Sequence, residues 1–184
     1  MGISEACIHE MDSVTEPEYE TRELGIPLRI FNSVQKHTCK KCGEITHSIP
    51  FPDRLIAAAA VGRCKIALKL AGEEVRFIRK ALSESSKDMA ESLGVAAETF
   101  SRWENDKSPI GPSYERLFRL LTWIKLGELA PAIDFKPTDI VNMKIKAIRS
   151  KDDEVPMCFE LIRFKVTAEK PTTDAYSEGE RKAA

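Results

Sequence analysis

Two stretches of the 184-residue chain carry side chains whose type and spacing imply chemistry. The first is Cys39-Lys40-Lys41-Cys42-Gly43. Two thiolates three residues apart on a tight turn can hold two corners of a tetrahedral Zn²⁺, with the glycine relieving the backbone. A redox Cys-x-x-Cys opens a helix, whose N-terminus lowers the thiol pKa. Here the strand-like Glu44-Ile45-Thr46-His47 follows, so a structural metal is the expectation and a metal-free module the alternative. The second stretch is 86–105. Its spacing predicts a helix over 86–93 with Met89, Ala90 and Leu93 on one face, a turn at Gly94, and a helix over 96–104 with Phe100 and Trp103 inward. Ala90 is small enough to let the two helices touch, and Val95 plugs their junction. Ala97, Glu98, Ser101 and Arg102 are left pointing outward. A bare polar face of that kind can lie in the DNA major groove. There an arginine gives guanine O6 and N7 two parallel hydrogen bonds, and a glutamate accepts from cytosine N4. Two alternatives stand beside this: Arg102 paired with Glu98 across one helical turn, and a plain bundle of packed helices with solvated charges.

Composition narrows the choices. With 28 basic and 29 acidic side chains the net charge is −1, which excludes a polybasic chain that grips nucleic acid by bulk charge. The charge is uneven along the chain: residues 1–30 are acidic, and residues 31–126 carry a mild basic excess. Five cysteines, an odd and sparse set, do not suggest a disulfide framework. Cys64 and Cys158 read as small buried residues. The sequence has no phosphate-cradling glycine loop, nucleophile elbow or His-Glu-x-x-His pattern, and its histidines (His9, His37, His47) all lie in the first quarter. A non-enzyme is expected. The longest apolar run, 55–61, stops at Gly62-Arg63, far short of the ~20 residues that span a bilayer. Residues 1–10 lack a charged leader followed by an apolar core. A cytoplasmic protein without membrane contact is expected.

The elements that must position these residues form an α+β chain. Residues 1–52 read as a small β module around the Cys-x-x-Cys, with a loose start over 1–18 and strands near 28–31 and 44–47. Too small to hold much of a core, the module calls for a metal or a docked neighbour. Residues 53–69 read as a linker helix capped by Asp53. Residues 70–128 read as an all-α domain whose last helix carries Leu117, Leu120, Leu121 and Ile124. The extension 129–168 alternates as a β-hairpin would, with 151–154 at its turn, a helix over 138–148 being the alternative. Residues 169–184 lack periodicity and read as a disordered tail.

The segment LAGEEVRFIRKALSESSKDMAESLGVAAETFSRWENDKSPI resembles the Xre/Cro-type helix-turn-helix. More narrowly, the chain resembles the MqsA-like (YgiT-type) antitoxins and regulators, which join an N-terminal zinc-binding β module to such a domain. Three motifs match in order: Cys39 to Glu44, Leu70 to Lys80, and Ser101 to Asn105, within about 108 residues from Tyr19 to Leu126. The resemblance implies a zinc-ribbon-like module and an autoregulating antitoxin that represses transcription. It would act as a homodimer on a palindromic operator in double-stranded DNA and would neutralise a partner toxin protein; the alternative is a protein-interaction module that neutralises such a toxin through its N-terminal region, without DNA binding as its main role. Leu117, Leu121 and Ile124 are candidates for the dimer surface. Carried over, the base-reading positions are Ala97, Glu98 and Arg102. Thr99 and Asn105 take neighbouring contacts, Ser86 opens the first motif helix, and Lys87 and Lys107 reach phosphates. Two positions depart from the pattern. Ala96 stands where a Ser or Thr caps the second helix, a loss of about 1 kcal/mol, and Ala97 offers only apolar contact. The family's second Cys-x-x-Cys is also missing; Cys7, with His9, lies in the corresponding region and is the implied third ligand beside Cys39 and Cys42.

Overall fold

A computed structural model describes residues 10–147, 157–164 and 173–178. Two antiparallel arms open the chain. Strands β1 (Met11–Thr15) and β2 (Glu18–Thr21) run against β4 (Gln35–Cys39) and β3 (Leu28–Phe31) respectively. Glu16-Pro17 and Asn32-Ser33-Val34 bend the ribbon between the two pairings. There the Glu16 N–H donates to Val34 O (2.9 Å), and Asn32 takes a positive φ of 49°. The bend splits the ribbon between two sheets. One has the order β1-β4-β5, with β5 spanning Ile45–Ser48. The other has the order β2-β3-β6-β7, where β6 (Met157–Phe164) runs parallel to β3 and antiparallel to β7 (Thr173–Glu178).

Helix α1 (Pro52–Lys65) lies under this second sheet. Leu55, the run Ala57–Ala58–Ala59–Ala60, Val61 and Cys64 are all buried. Small side chains on every side suit a helix enclosed on all faces, because packed interiors leave little room between backbones. Gly62 extends the effect, since a Cβ there would sit 3.0 Å from Met157 Cε and 3.7 Å from Phe159 Cζ. The Tyr176 hydroxyl donates to Pro50 O (2.6 Å), and burial pushes its pKa up to about 12. Burial likewise holds the Cys64 thiol neutral, its pKa raised to about 11, in keeping with a core residue.

The chain then builds α2 (Gly72–Ala81), α3 (Ser86–Ser92), α4 (Ala97–Glu104), α5 (Pro112–Leu126) and, after a 3₁₀ turn over Gly127–Leu129, the short α6 (Pro137–Val141). Between α1 and α2, residues 66–70 form a strap that is held by side chains. Arg63 donates to the carbonyls of Ile66, Leu68 and Lys69. The fully buried Arg119 donates to those of Cys64, Ile66 and Leu68 and pairs with Glu115 at 2.6 Å. The strap also makes a parallel bridge to Lys146.

These pairings correct the expected layout. The N-terminal strands do not close a zinc-ribbon-like module of their own, because β3 needs β6, more than 120 residues later, as its neighbour. The expected linker helix is a central core element. Helices α2–α5 share one continuous hydrophobic core with α1, α6 and the four-stranded sheet, so no separate all-α helix-turn-helix domain forms. Strand β1 and the first residue of β2 fall within the expected loose start, whose residues 1–9 lie outside the described residues. The first arm of the expected hairpin is α6 followed by irregular backbone, and β6 finds its partners in β3 and β7. Residues 151–154 lie outside the described residues. Within the expected disordered tail, 173–178 form β7, with Ala175 and Tyr176 buried. Among the described residues no helix is long and apolar enough to cross a membrane.

Candidate nucleic-acid interface

Helix α3 starts at a built cap: the Ser85 hydroxyl accepts from the Asp88 N–H (3.1 Å). It ends in a Schellman arrangement, with the Val95 N–H on Ala90 O and the Gly94 N–H on Glu91 O, both at 3.0 Å. Gly94 takes the left-handed φ of 68° that this turn requires. Helix α4 follows from Ala96, which offers no side-chain cap. Its inner face is Phe100, Trp103 and Glu104, all buried. Phe100 meets Trp103 and Phe118 edge-on, and Trp103 lies 5.5 Å from the Tyr114 ring.

Polar contacts from α2 fix the far end of α4. Arg79 Nε donates to the buried Glu104 carboxylate (2.7 Å). Arg76 donates to Glu104 O (2.9 Å) and to Asn105 Oδ1 (2.8 Å). Asn105 Nδ2 returns to Ser101 O (2.7 Å) and so caps the helix. Asp106, at φ 53°, accepts from the Gly72 N–H (2.7 Å). Gly72 is required by space: a Cβ there would fall 2.7 Å from Glu104 O and 2.8 Å from Trp103 O. The sequence reading missed this clamp. Its signal was present in Arg76 and Arg79, three apart on one helix face, and in Glu104 on an otherwise apolar inner face.

The outcome for the named residues follows from this frame. Ala97, Glu98 and Arg102 are exposed on α4, and Thr99 is half-buried. Arg102 makes no ion pair with Glu98 and has no side-chain partner among the described residues. Lys87 and Lys107 are exposed, and the Lys107 N–H folds back onto Arg102 O (2.9 Å), which brings that lysine beside the helix end. Two residues depart from expectation. The Ser86 hydroxyl is buried, without a hydrogen-bond partner among the described residues, so it faces the fold and no ligand. Asn105 is occupied with the α4 cap and with Arg76, which makes it a positioning residue.

Cys39 and Cys42 close the β4–β5 turn. Gly43, at φ 72°, donates its N–H to Cys39 O (2.9 Å). The Cys42 N–H, then the Lys41 N–H and the Cys42 thiol, hydrogen-bond the Cys39 sulfur and lower its pKa. N–H groups aimed at the Cys39 sulfur favour its deprotonated form, the form in which a cysteine binds a metal. The flanking histidines are directed elsewhere. His37 bridges Ser13 Oγ and Ser48 Oγ, each at 2.7 Å, and His47 lies 4.8 Å from the Tyr19 ring. Among the described residues no group of three or more His, Cys, Asp or Glu side chains is assembled to hold a metal. Cys7 and His9 lie outside the described residues.

Comparisons with protein families, curated proteins and solved structures give no match to this chain.

Proposed function

We propose that the protein is a sequence-specific DNA-binding transcriptional regulator that lays the outer face of α4 in the major groove. The observation that carries this is the contrast between the two sides of α4. One side is locked by Phe100, Trp103 and the Arg76–Arg79–Glu104 clamp, while the other presents Ala97, Glu98, Ser101 and Arg102 to solvent, Arg102 having no side-chain partner among the described residues. A rigid helix with a bare, partly cationic face is what base readout needs. Arg102 reads guanine, Glu98 accepts from cytosine, and Lys87 and Lys107 meet phosphates. The test is Arg102→Ala in the full chain, assayed on a duplex that the protein itself selects from a random pool. We expect a loss of ~1–3 kcal/mol with relaxed preference at one base position; binding and preference equal to the parent would remove Arg102 from this role.

The resemblance to the MqsA-like antitoxins makes the regulator an autoregulating, cytoplasmic one. It would bind a palindromic operator as a homodimer, with half-sites about 10 bp apart. Leu117 and Ile124, exposed on α5, support such a dimer. A partner toxin protein is favoured by a different observation. Strands β1 and β5 are exposed along their whole length, with Val14 66% and Ile45 51% accessible, and exposed strands are templates for pairing with another chain. Binding of that partner is a test for the full chain, because residues 1–62 alone would lack the β6 neighbour of β3. We further propose Zn²⁺ at Cys39 and Cys42, with Cys7 as third donor. Metal analysis of the purified protein is expected to find one zinc per chain, lost in Cys39→Ser, and a content well below one would refute the site.

A further inference from the structure

The carbonyl end of α4 is finished by a side chain from α2. The last carbonyls of a helix have no partner within it, and the backbone dipole adds about half a negative charge there. In α4 each of them meets a donor. Ser101 O takes the Asn105 N–H (3.2 Å) and Asn105 Nδ2 (2.7 Å), Arg102 O the Lys107 N–H (2.9 Å), and Trp103 O the Asp106 N–H (3.2 Å). Glu104 O takes Arg76 Nη2 (2.9 Å), and the same nitrogen reaches Asn105 Oδ1 at 2.8 Å. A guanidinium has five N–H groups, and these bonds use the two on Nη2. Arg76 is exposed, and its Nη1 and Nε make no hydrogen bond among the described residues. A positive group with donors to spare therefore lies against the negative end of the helix.

That place adjoins the outer face of α4. Asn105, on which Arg76 rests, also donates to Ser101 O, and Ser101 belongs to the exposed face with Ala97, Glu98 and Arg102. Eight residues at 1.5 Å each make α4 about 12 Å long, close to the ~12 Å width of the major groove. A helix that enters the groove by its N-terminal residues thus brings its other end to the sugar–phosphate backbone. Bare carbonyls there would repel a phosphate, whereas an arginine fork can bond one through two N–H groups. Two neighbouring carboxylates have partners of their own: Glu104 accepts from Arg79 Nε (2.7 Å) and Asp106 from the Gly72 N–H (2.7 Å). Glu73, one turn earlier on α2, is exposed, and an exposed carboxylate holds an arginine only weakly.

We infer that Arg76 binds a backbone phosphate of the duplex that α4 reads, and that Asn105 aims it. The inference rests on the DNA-binding reading above. One amide then serves both partners: its Nδ2 caps the helix that reads bases, and its Oδ1 holds the arginine that grips the backbone. The contact adds affinity without adding sequence preference, because every nucleotide presents the same phosphate.

The test is a salt titration of the full chain on two probes, a random-sequence 24-bp duplex and a duplex selected from a random pool. Each phosphate contact contributes about 0.9 to the slope of log affinity against log salt, so Arg76→Gln is expected to lower the slope by about 0.9 on both probes. A fourfold rise in salt would then weaken this variant ~3.5-fold less than the parent, with the ratio between the two probes unchanged. Arg76→Lys keeps the charge and the parental slope, which separates a phosphate contact from a mere cap on Glu104 O. Asn105→Ala is expected to weaken random-duplex binding in the parent and much less in Arg76→Gln. A parental slope in Arg76→Gln, or an equal drop in Arg76→Lys, would overturn the phosphate contact and leave the reading of α4 standing. A shifted probe ratio in Arg76→Gln would assign Arg76 to sequence reading, directly or through the pose of α4, and overturn it as well. Equal losses from Asn105→Ala in both backgrounds would overturn the aiming role. A parent chain that binds neither probe at about 50 mM salt would remove the DNA-binding reading, and the role of Arg76 with it.

Discussion

Arg119→Met is expected to destabilise the protein by about 3–5 kcal/mol, the cost of leaving a buried partner charge uncompensated. For a chain of this size that lowers Tm by roughly 10 °C or more. The side chain is fully buried, and four of its hydrogen bonds end on Cys64 O, Ile66 O, Leu68 O and Glu115 Oε1, at 2.6–2.8 Å. Methionine fills much of the volume but supplies no donors. Glu115, whose Oε2 already has no partner among the described residues, would then hold its charge against the Leu70 N–H alone. Arg119→Lys should rescue little, because one ammonium group cannot span the carbonyls that the planar guanidinium reaches together. Pairing the change with Glu115→Leu should recover part of the loss, since the uncompensated charge goes while the strap carbonyls stay unsatisfied. Urea denaturation of the three variants measures this. A loss under 1 kcal/mol for Arg119→Met would mean that water replaces the arginine and that the strap is not held as described.

Such buried charges mark the limit of what the sequence discloses. Helices α2–α5 were legible because each shows an apolar face at helical spacing and because Gly94 can end α3 where few other residues can. The Cys39–Cys42 turn was legible for the same kind of local reason. Arg63, Glu115 and Arg119 carried no such signal, since nothing in a helix pattern says that a charge will be met by loop carbonyls from another element. The alanine run of α1 read as a connector: a helix buried on all sides has no amphipathic period. Strands β1 and β2, MDSVT and EYET, show no hydrophobic alternation because the first is exposed throughout and the second half-exposed. The parallel pairing of β3 with β6 lay further out of reach, because a strand's pattern fixes which face it buries and not which distant strand lies beside it. In the interface the outward residues of α4 were legible. The clamp behind them left only a partial trace, Arg76 and Arg79 on one face of α2 and Glu104 among apolar residues, because their pairing needs the distance between α2 and the end of α4.

The clamp can be tested by comparing two glycines. Gly94→Ala meets open space, with nothing within 4 Å of the added carbon. Its cost is the left-handed backbone alone, about 1–2 kcal/mol, and α4 should keep its position and its DNA preference. Gly72→Ala has no such strain, but its Cβ would be driven to 2.7–2.8 Å from the carbonyl oxygens of Glu104 and Trp103 and from Asp106 Oδ2. Two of those are backbone atoms of α4, so relief requires the helix end to move away from α2, parting the Gly72–Asp106 hydrogen bond and loosening Arg76 and Arg79 on Glu104. Overpacking of this kind costs about 1–3 kcal/mol in stability. A tilt of α4 would also forfeit the Arg102 base contacts, a further ~1–3 kcal/mol of discrimination. Gly72→Ala should therefore lose most preference for the selected duplex while still binding the random-sequence duplex through its lysines, a combination that unfolding cannot produce. If it retains the parental preference at the expected cost in stability, the clamp is only structural and the aim of α4 is set by its aromatic face.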